Sequence, residues 1–213
     1  MARVKVKICG ITNWTDARRA AEAGADFLGF NFYRKSPRYV APGRARKIVR
    51  RLPKHVAAVG IFVDEREENI LKIARSVGLD FLQLHGNENP ESAMRLARFF
   101  PVIKAARVEN GFRPAQLAKF RRVRAVLLDG FKPRLAGGTG KTFDWKIARS
   151  AGSHRHIFVA GGLAPENVAR AIQVARPYAV DICSGVESRP GKKDPEKLKA
   201  LMRAIQSAQR GIR

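Results

Sequence analysis

Short runs of β-branched and apolar residues punctuate the chain at regular intervals, over residues 4–9, 27–32, 57–62, 81–84, 102–105, 125–129, 156–160 and 179–183. Their starts lie on average 25 residues apart, from Val4 to Ala179. That spacing accommodates one strand, one helix and two short loops per repeat. Helical patterns fill the intervals. Asn13 or Thr15 opens an Ala/Arg-rich stretch that stops at Ala23-Gly24, where the glycine suits a helix terminus. Pro42, Pro90, Pro165 and Pro195 each stand where a first helical turn would open, and Asp194 suits the cap before Pro195. No linker or low-complexity tract interrupts the alternation, so residues 1–213 read as a single domain.

Eight βα repeats fit either a closed (β/α)8 barrel or an open doubly wound sheet, and the repeat number favours an α/β, single-domain (β/α)8 TIM barrel. The two-residue period of strands refines this picture. In the first run Val6 and Ile8 face the helices, while Lys5, Lys7 and Cys9 face inward; in the last, Asp181 and Cys183 face inward, as do Leu127 and Asp129 in the sixth. First and last strands adjoin only in a closed barrel. A buried charge needs a partner, so Lys7 and Asp181 are expected to meet inside.

Active sites of (β/α)8 enzymes lie at the C-terminal ends of the strands, which selects Cys9, His85, Asp129, Gly161-Gly162 and Ser184-Gly185. A thiolate can take a proton and a carboxylic acid can supply one, so Cys9 and Asp129 form a candidate base and acid. A strand-end cysteine also serves as a small core group, and Asp-Gly also as a turn. The glycine turns after strands seven and eight suit a phosphate, met by backbone N–H groups, or are simply tight turns. His85 is a candidate imidazole or a hydrogen-bonded loop histidine, and Arg38 a two-pronged carboxylate clamp or a surface arginine. Residues 137–142, GGTGKT, lack the earlier glycine of a P-loop, since Leu135 stands there. They read better as a glycine-rich loop over a ligand, with Gly140 at its centre, or as a structural turn.

Composition adds one surprise. Lys and Arg number 42 against 18 acidic residues, a formal charge of +24, which implies attraction to anions. The cations crowd one predicted helix (Arg44, Arg46, Lys47, Arg50, Arg51, Lys54) and another (Arg121, Arg122, Arg124) without interleaved aromatics, so solvated helix faces are expected rather than a nucleic-acid platform. Cys9 and Cys183 stand in no metal-binding spacing, and neither do His55, His154 and His156. No apolar run is long enough for a signal peptide or membrane span, which gives a cytoplasmic expectation with no membrane partner.

Several blocks, in order along nearly the whole chain, carry a family resemblance: KICGIT from Lys7, GADFLGFNFYRKSPRYV from Gly24, QLHGNE from Gln83, LLDG from Leu127, GGTGKTFDW from Gly137, AGGLAPENV from Ala160 and DICSGVESRPGKKD from Asp181. In these the sequence resembles the phosphoribosylanthranilate isomerases of tryptophan biosynthesis. The resemblance implies a (β/α)8 enzyme that performs an Amadori rearrangement on a phosphorylated small-molecule substrate, with no cofactor and no metal. It implies Cys9 as general base, Asp129 as general acid, Arg38 against the substrate carboxylate, and the loops at Gly140, Gly162 and Ser184-Gly185 around the phosphate. Arg34, Gly130 and Cys183 depart from the family pattern, and Cys183 reads as a core filler. Monomer and homodimer both stay open. Two rival classes are the related aminoaldose isomerase of histidine biosynthesis, against which Cys9 argues, and a non-enzymatic polyanion binder.

Overall fold

The computed structural model describes residues 3–130, 143–152 and 156–211. Among these, the strands β1 (Lys5–Ile8), β2 (Phe27–Asn31), β3 (Ala57–Phe62), β4 (Phe81–Leu84), β5 (Val102–Arg107), β6 (Ala125–Asp129), β7 (His156–Ala160) and β8 (Ala179–Ile182) form a closed parallel barrel in chain order. The ring closes through Lys5↔Ala179, Val6↔Val180, Lys7↔Asp181 and Ile8↔Ile182. The open-sheet alternative is thereby excluded. Outside the barrel run α1 (Trp14–Glu22), α2 (Pro42–Val49), α3 (Glu67–Val77), α4 (Pro90–Leu96), a 3-10 helix (Pro114–Phe120), α5 (Trp145–Ala151), α6 (Val168–Ala175) and α7 (Pro195–Arg210). A short antiparallel pair, β9 (Glu187–Arg189) and β10 (Lys192–Lys193), folds over the end of β8.

The caps show why the helices start where they do. Asn13 accepts the Asp16 N–H, Asn89 the Ser92 N–H, and Asp194 the Glu196 and Lys197 N–H groups, so donors that lack a helical partner are satisfied. Pro165 does not open a helix. The Asn167 side chain instead ties the preceding turn, donating to the Gly162 carbonyl at 2.8 Å and accepting from Ala164 N at 2.9 Å, and α6 begins only at Val168. The second basic cluster is likewise not helical. Arg121 caps the 3-10 helix, and Arg124 N already donates to Val102 O at 2.8 Å as the chain enters β6. In the first cluster α2 ends at Val49, and Arg51 stacks over the Trp14 ring at 4.0 Å, an aromatic partner from another element.

Strand alternation builds two cores. Val6, Ile8, Val180 and Ile182 pack outward against the helices, while Phe27, Val59, Ile103, Leu127, Phe158 and Ala179 fill the barrel. Phe27 meets Phe81 and Phe158 edge to face, with ring centroids 5.6 and 5.4 Å apart, and plugs the lower barrel. Toward the C-terminal mouth the inward side chains turn polar, with Lys7, Asp181 and Gln83 all buried. Among the described residues, no helix is long and apolar enough to cross a membrane.

Candidate active site

The end of β1 is held against the end of β8. Lys7 Nζ donates to Asp181 Oδ2 at 2.8 Å with the lysine fully buried, and Cys9 N donates to Ile182 O at 2.9 Å. Cys9 therefore sits directly above an ion pair at the barrel mouth. A hydrogen bond from the Cys183 thiol holds Cys9 well below the usual thiol range against its burial, and the charges of Lys7 and Lys193 add to this. The Cys183 thiol moves the opposite way, raised by that same hydrogen bond and by burial. Burial also pushes the Asp181 carboxyl up to about 6 despite Lys7. Burial opposes the Lys7 charge too, but Asp181 and Cys9 outweigh it and raise Lys7 above its ordinary range.

Arg38 does clamp a carboxylate, and that carboxylate belongs to the chain itself. Arg38 Nε donates to Glu187 Oε1 and Oε2 at 2.9 and 3.0 Å, and Nη2 to Oε2 at 2.5 Å. Glu187 also accepts from Lys193 Nζ at 2.9 Å and from Gly191 N at 3.2 Å. Burial would raise Glu187, but the Arg38 bonds and Lys193 hold it below the usual carboxylate range. Two N–H donors at one edge of the guanidinium are thus committed, which fixes the plane of Arg38 and leaves the Nη1 edge free of Glu187. The aliphatic stem of Arg38 lies so close to Gly10 that a methyl group there would come within 2.7 Å of Cδ.

At the end of β6, Asp129 Oδ2 lies 3.2 Å from His85 Nε2, and His85 Nδ1 lies 2.8 Å from Gln83 Nε2. With the Gln83 amide donating to Nδ1, the neutral ring carries its proton on Nε2 and donates it to Asp129. The glycines of the β7 loop are sterically required. Gly161 has φ +85°, and a methyl group on it would come within 2.7 Å of Asp129 Oδ1 and 2.4 Å of Gly130 N. Gly162 is also at positive φ, and Gly185, in the turn Ser184–Val186, presses on the backbone of Leu163. The β7 and β8 loops consequently abut. Gly140 and the remainder of residues 137–142 lie outside the described residues.

Two groups of sequence-selected residues are brought together directly: Lys7 with Asp181, and His85 with Asp129. Cys9 and Asp129 sit on β1 and β6, separated round the ring by β7 and β8. Sequence reasoning missed Glu187, Lys193 and Gln83. Gln83 had a signal, since it lies two residues before His85 on the same strand face. Glu187 and Lys193 had only a weak one, as two oppositely charged residues in a single motif.

A family model described as "N-(5'phosphoribosyl)anthranilate (PRA) isomerase" matches residues 6–204. The chain belongs to that family. A relative from Trichlorobacter lovleyi, named N-(5'-phosphoribosyl)anthranilate isomerase, is 47% identical over 206 residues, which cover 96% of this chain and 99% of the relative. The crystal structure of phosphoribosyl anthranilate isomerase from Thermotoga maritima superposes with a TM-score of 0.90 at 45% identity, covering 96% of this chain and 99% of that one. A solved complex of the same enzyme type with reduced 1-(o-carboxyphenylamino)-1-deoxyribulose 5-phosphate superposes at 0.85 and 43% identity, with the same coverage of both chains. Family membership and barrel closure thus agree with the resemblance carried by the sequence blocks.

Proposed function

We propose that this chain isomerises N-(5-phosphoribosyl)anthranilate to 1-(2-carboxyphenylamino)-1-deoxyribulose 5-phosphate, with Cys9 as base and Asp129 as acid. The observation that carries the reading is Cys9 itself, a strand-end thiol held well below the usual thiol range by the Cys183 hydrogen bond and the cations beneath it, in a chain of this family.

Asp129 protonates the ring oxygen of the furanose, the C1′–O bond opens, and a protonated Schiff base forms. The Cys9 thiolate then removes the C2′ proton, which gives an enolamine that tautomerises to the ketone. His85 supports the first step. Its Nε2–H faces the Asp129 oxygen, so the carboxylate left after proton donation has a donor waiting. Each transfer contributes about 10² to 10⁴ in rate when the group is well placed.

The two ends of the substrate are anionic, and the site offers a matching feature for each. Arg38, its orientation fixed by Glu187, presents its remaining N–H edge to the anthranilate carboxylate. The backbone of the Gly162 and Ser184-Gly185 turns receives the phosphate. Holding both ends positions C2′ for Cys9 and the ring oxygen for Asp129.

The test is steady-state turnover of N-(5-phosphoribosyl)anthranilate by purified protein freed of nucleic acid, beside the aminoaldose substrate of histidine biosynthesis. Turnover of the anthranilate substrate alone is expected. Turnover of only the histidine-pathway substrate, or of neither by folded protein, overturns the reading.

A further inference from the structure

The proposed mechanism uses one of the two cysteines and leaves the other idle, although the fold sets them side by side. Cys9 and Cys183 each follow the last register pair of adjacent parallel strands, Ile8↔Ile182. Register partners point to the same face, here the barrel mouth. Neighbouring strands run about 4.7–4.9 Å apart, within the roughly 4.4–6.8 Å between Cα atoms that a disulfide spans. Both thiols are free, and both residues are only partly buried. Two glycines keep the space around the sulfurs open. A methyl group on Gly29 would come within 2.8 Å of Cys9 Sγ, and one on Gly10 within 3.0 Å of Cys183 Sγ.

We propose that Cys9 and Cys183 form a peroxide-sensitive pair, which closes to a reversible disulfide and withdraws the base from the isomerase. The inference rests on the reading of Cys9 as base. Among the described residues these are the chain's two cysteines, and a serine at position 183 would serve equally well as a hydrogen-bond donor to the thiolate.

The chemistry balances in two steps. The Cys9 thiolate attacks peroxide and the O–O bond breaks; sulfur is oxidised to the sulfenic acid, and the departing oxygen leaves as water after protonation. Cys183 then attacks that sulfur, the S–S bond forms, the S–O bond breaks, and hydroxide leaves and takes up the Cys183 proton as a second water. The net change is two thiols and one peroxide giving a disulfide and two waters. The Cys183 hydrogen bond and the nearby cations lower Cys9 and make it the attacking member, while Cys183, shifted the other way, is the resolving one.

The experiment treats the whole reduced protein with stoichiometric hydrogen peroxide and follows intact mass under denaturing, non-reducing conditions beside isomerase turnover. The expected result is a loss of two hydrogens, a Cys9–Cys183 cross-linked peptide, and loss of activity in proportion, all restored by dithiothreitol. Cys183→Ser should form no cross-link; its Cys9 should instead gain one oxygen as a sulfenic acid that dithiothreitol reduces and, under excess peroxide, two oxygens as the sulfinic acid, with a loss, measured against that variant's own starting rate, that dithiothreitol fails to restore. Oxygen adducts without a cross-link in the parent, or a cross-link that leaves turnover unchanged, would overturn the proposal. The mass readout stands apart from activity, so failure of the isomerase reading is seen separately, as an inactive reduced parent.

Discussion

Two buried carboxylates flank the β8 end of the barrel; burial pushes both up, yet they end on opposite sides of the usual carboxylate range. Glu187 has both oxygens engaged, by Arg38, Lys193 and the Gly191 N–H, and it stays below the usual carboxylate range. Asp181 has one oxygen on Lys7 and the other, Oδ1, buried without a hydrogen-bond partner, and it is pushed up to about 6. Depth alone does not decide the sign. Donors that saturate a carboxylate offset its desolvation, whereas a single cation beneath it does not. The saturated carboxylate belongs to the frame that orients Arg38. The unsaturated one sits under Cys9 and interacts with it electrostatically.

Glu187→Ala is the largest break in this contrast. It strands the fully buried Lys193 and frees Arg38, so a loss of about 3–5 kcal/mol is expected in urea unfolding. A loss under about 1 kcal/mol would show that the frame does not depend on Glu187.

Lys7→Met should cost less, about 2 kcal/mol at pH 7, because Asp181 can escape by taking a proton. The same variant should raise the pH at which Cys9 becomes reactive to an alkylating agent, since Lys7 is among the cations that lower it. An unshifted alkylation profile would remove Lys7 from that role.

Asp181→Asn sharpens the comparison through pH. The folded carboxyl titrates near 6 against an ordinary 3.8, so its proton uptake favours the fold. That contribution is fully present below about pH 4 and is lost as pH rises through about 6. The parent should lose stability across this window relative to the asparagine variant, and parallel curves would contradict the raised carboxyl.

Arg38→Ala is the mildest for the fold. Lys193 still neutralises Glu187, so the stability loss should stay near 1 kcal/mol. The KM should instead rise about tenfold with kcat less affected, as expected for a group that only holds the substrate carboxylate.

The barrel was legible in the sequence because strand alternation there is strict. In the stretch KVKI, Val6 and Ile8 meet the helices and Lys7 points in, and one inward lysine needs one inward acid. Cys9 and Asp129 stood out as the candidate base and acid because function in this architecture concentrates at strand ends. What escaped was the partnering of long side chains between loops. Nothing local to Arg38 tells that Glu187, 149 residues away, shares its guanidinium. Nor does Pro165 reveal that Asn167 ties the turn after it and delays α6. A proline at a first turn and a proline in a closed loop look alike until a side chain elsewhere chooses between them.

The central claim is that Cys9 is the base. Its most direct test is kcat and KM for N-(5-phosphoribosyl)anthranilate in Cys9→Ser beside the fully reduced parent. The account predicts an intact fold, a KM near that of the parent and a kcat lowered by at least about 10². Near-parental turnover in a folded Cys9→Ser protein would contradict it.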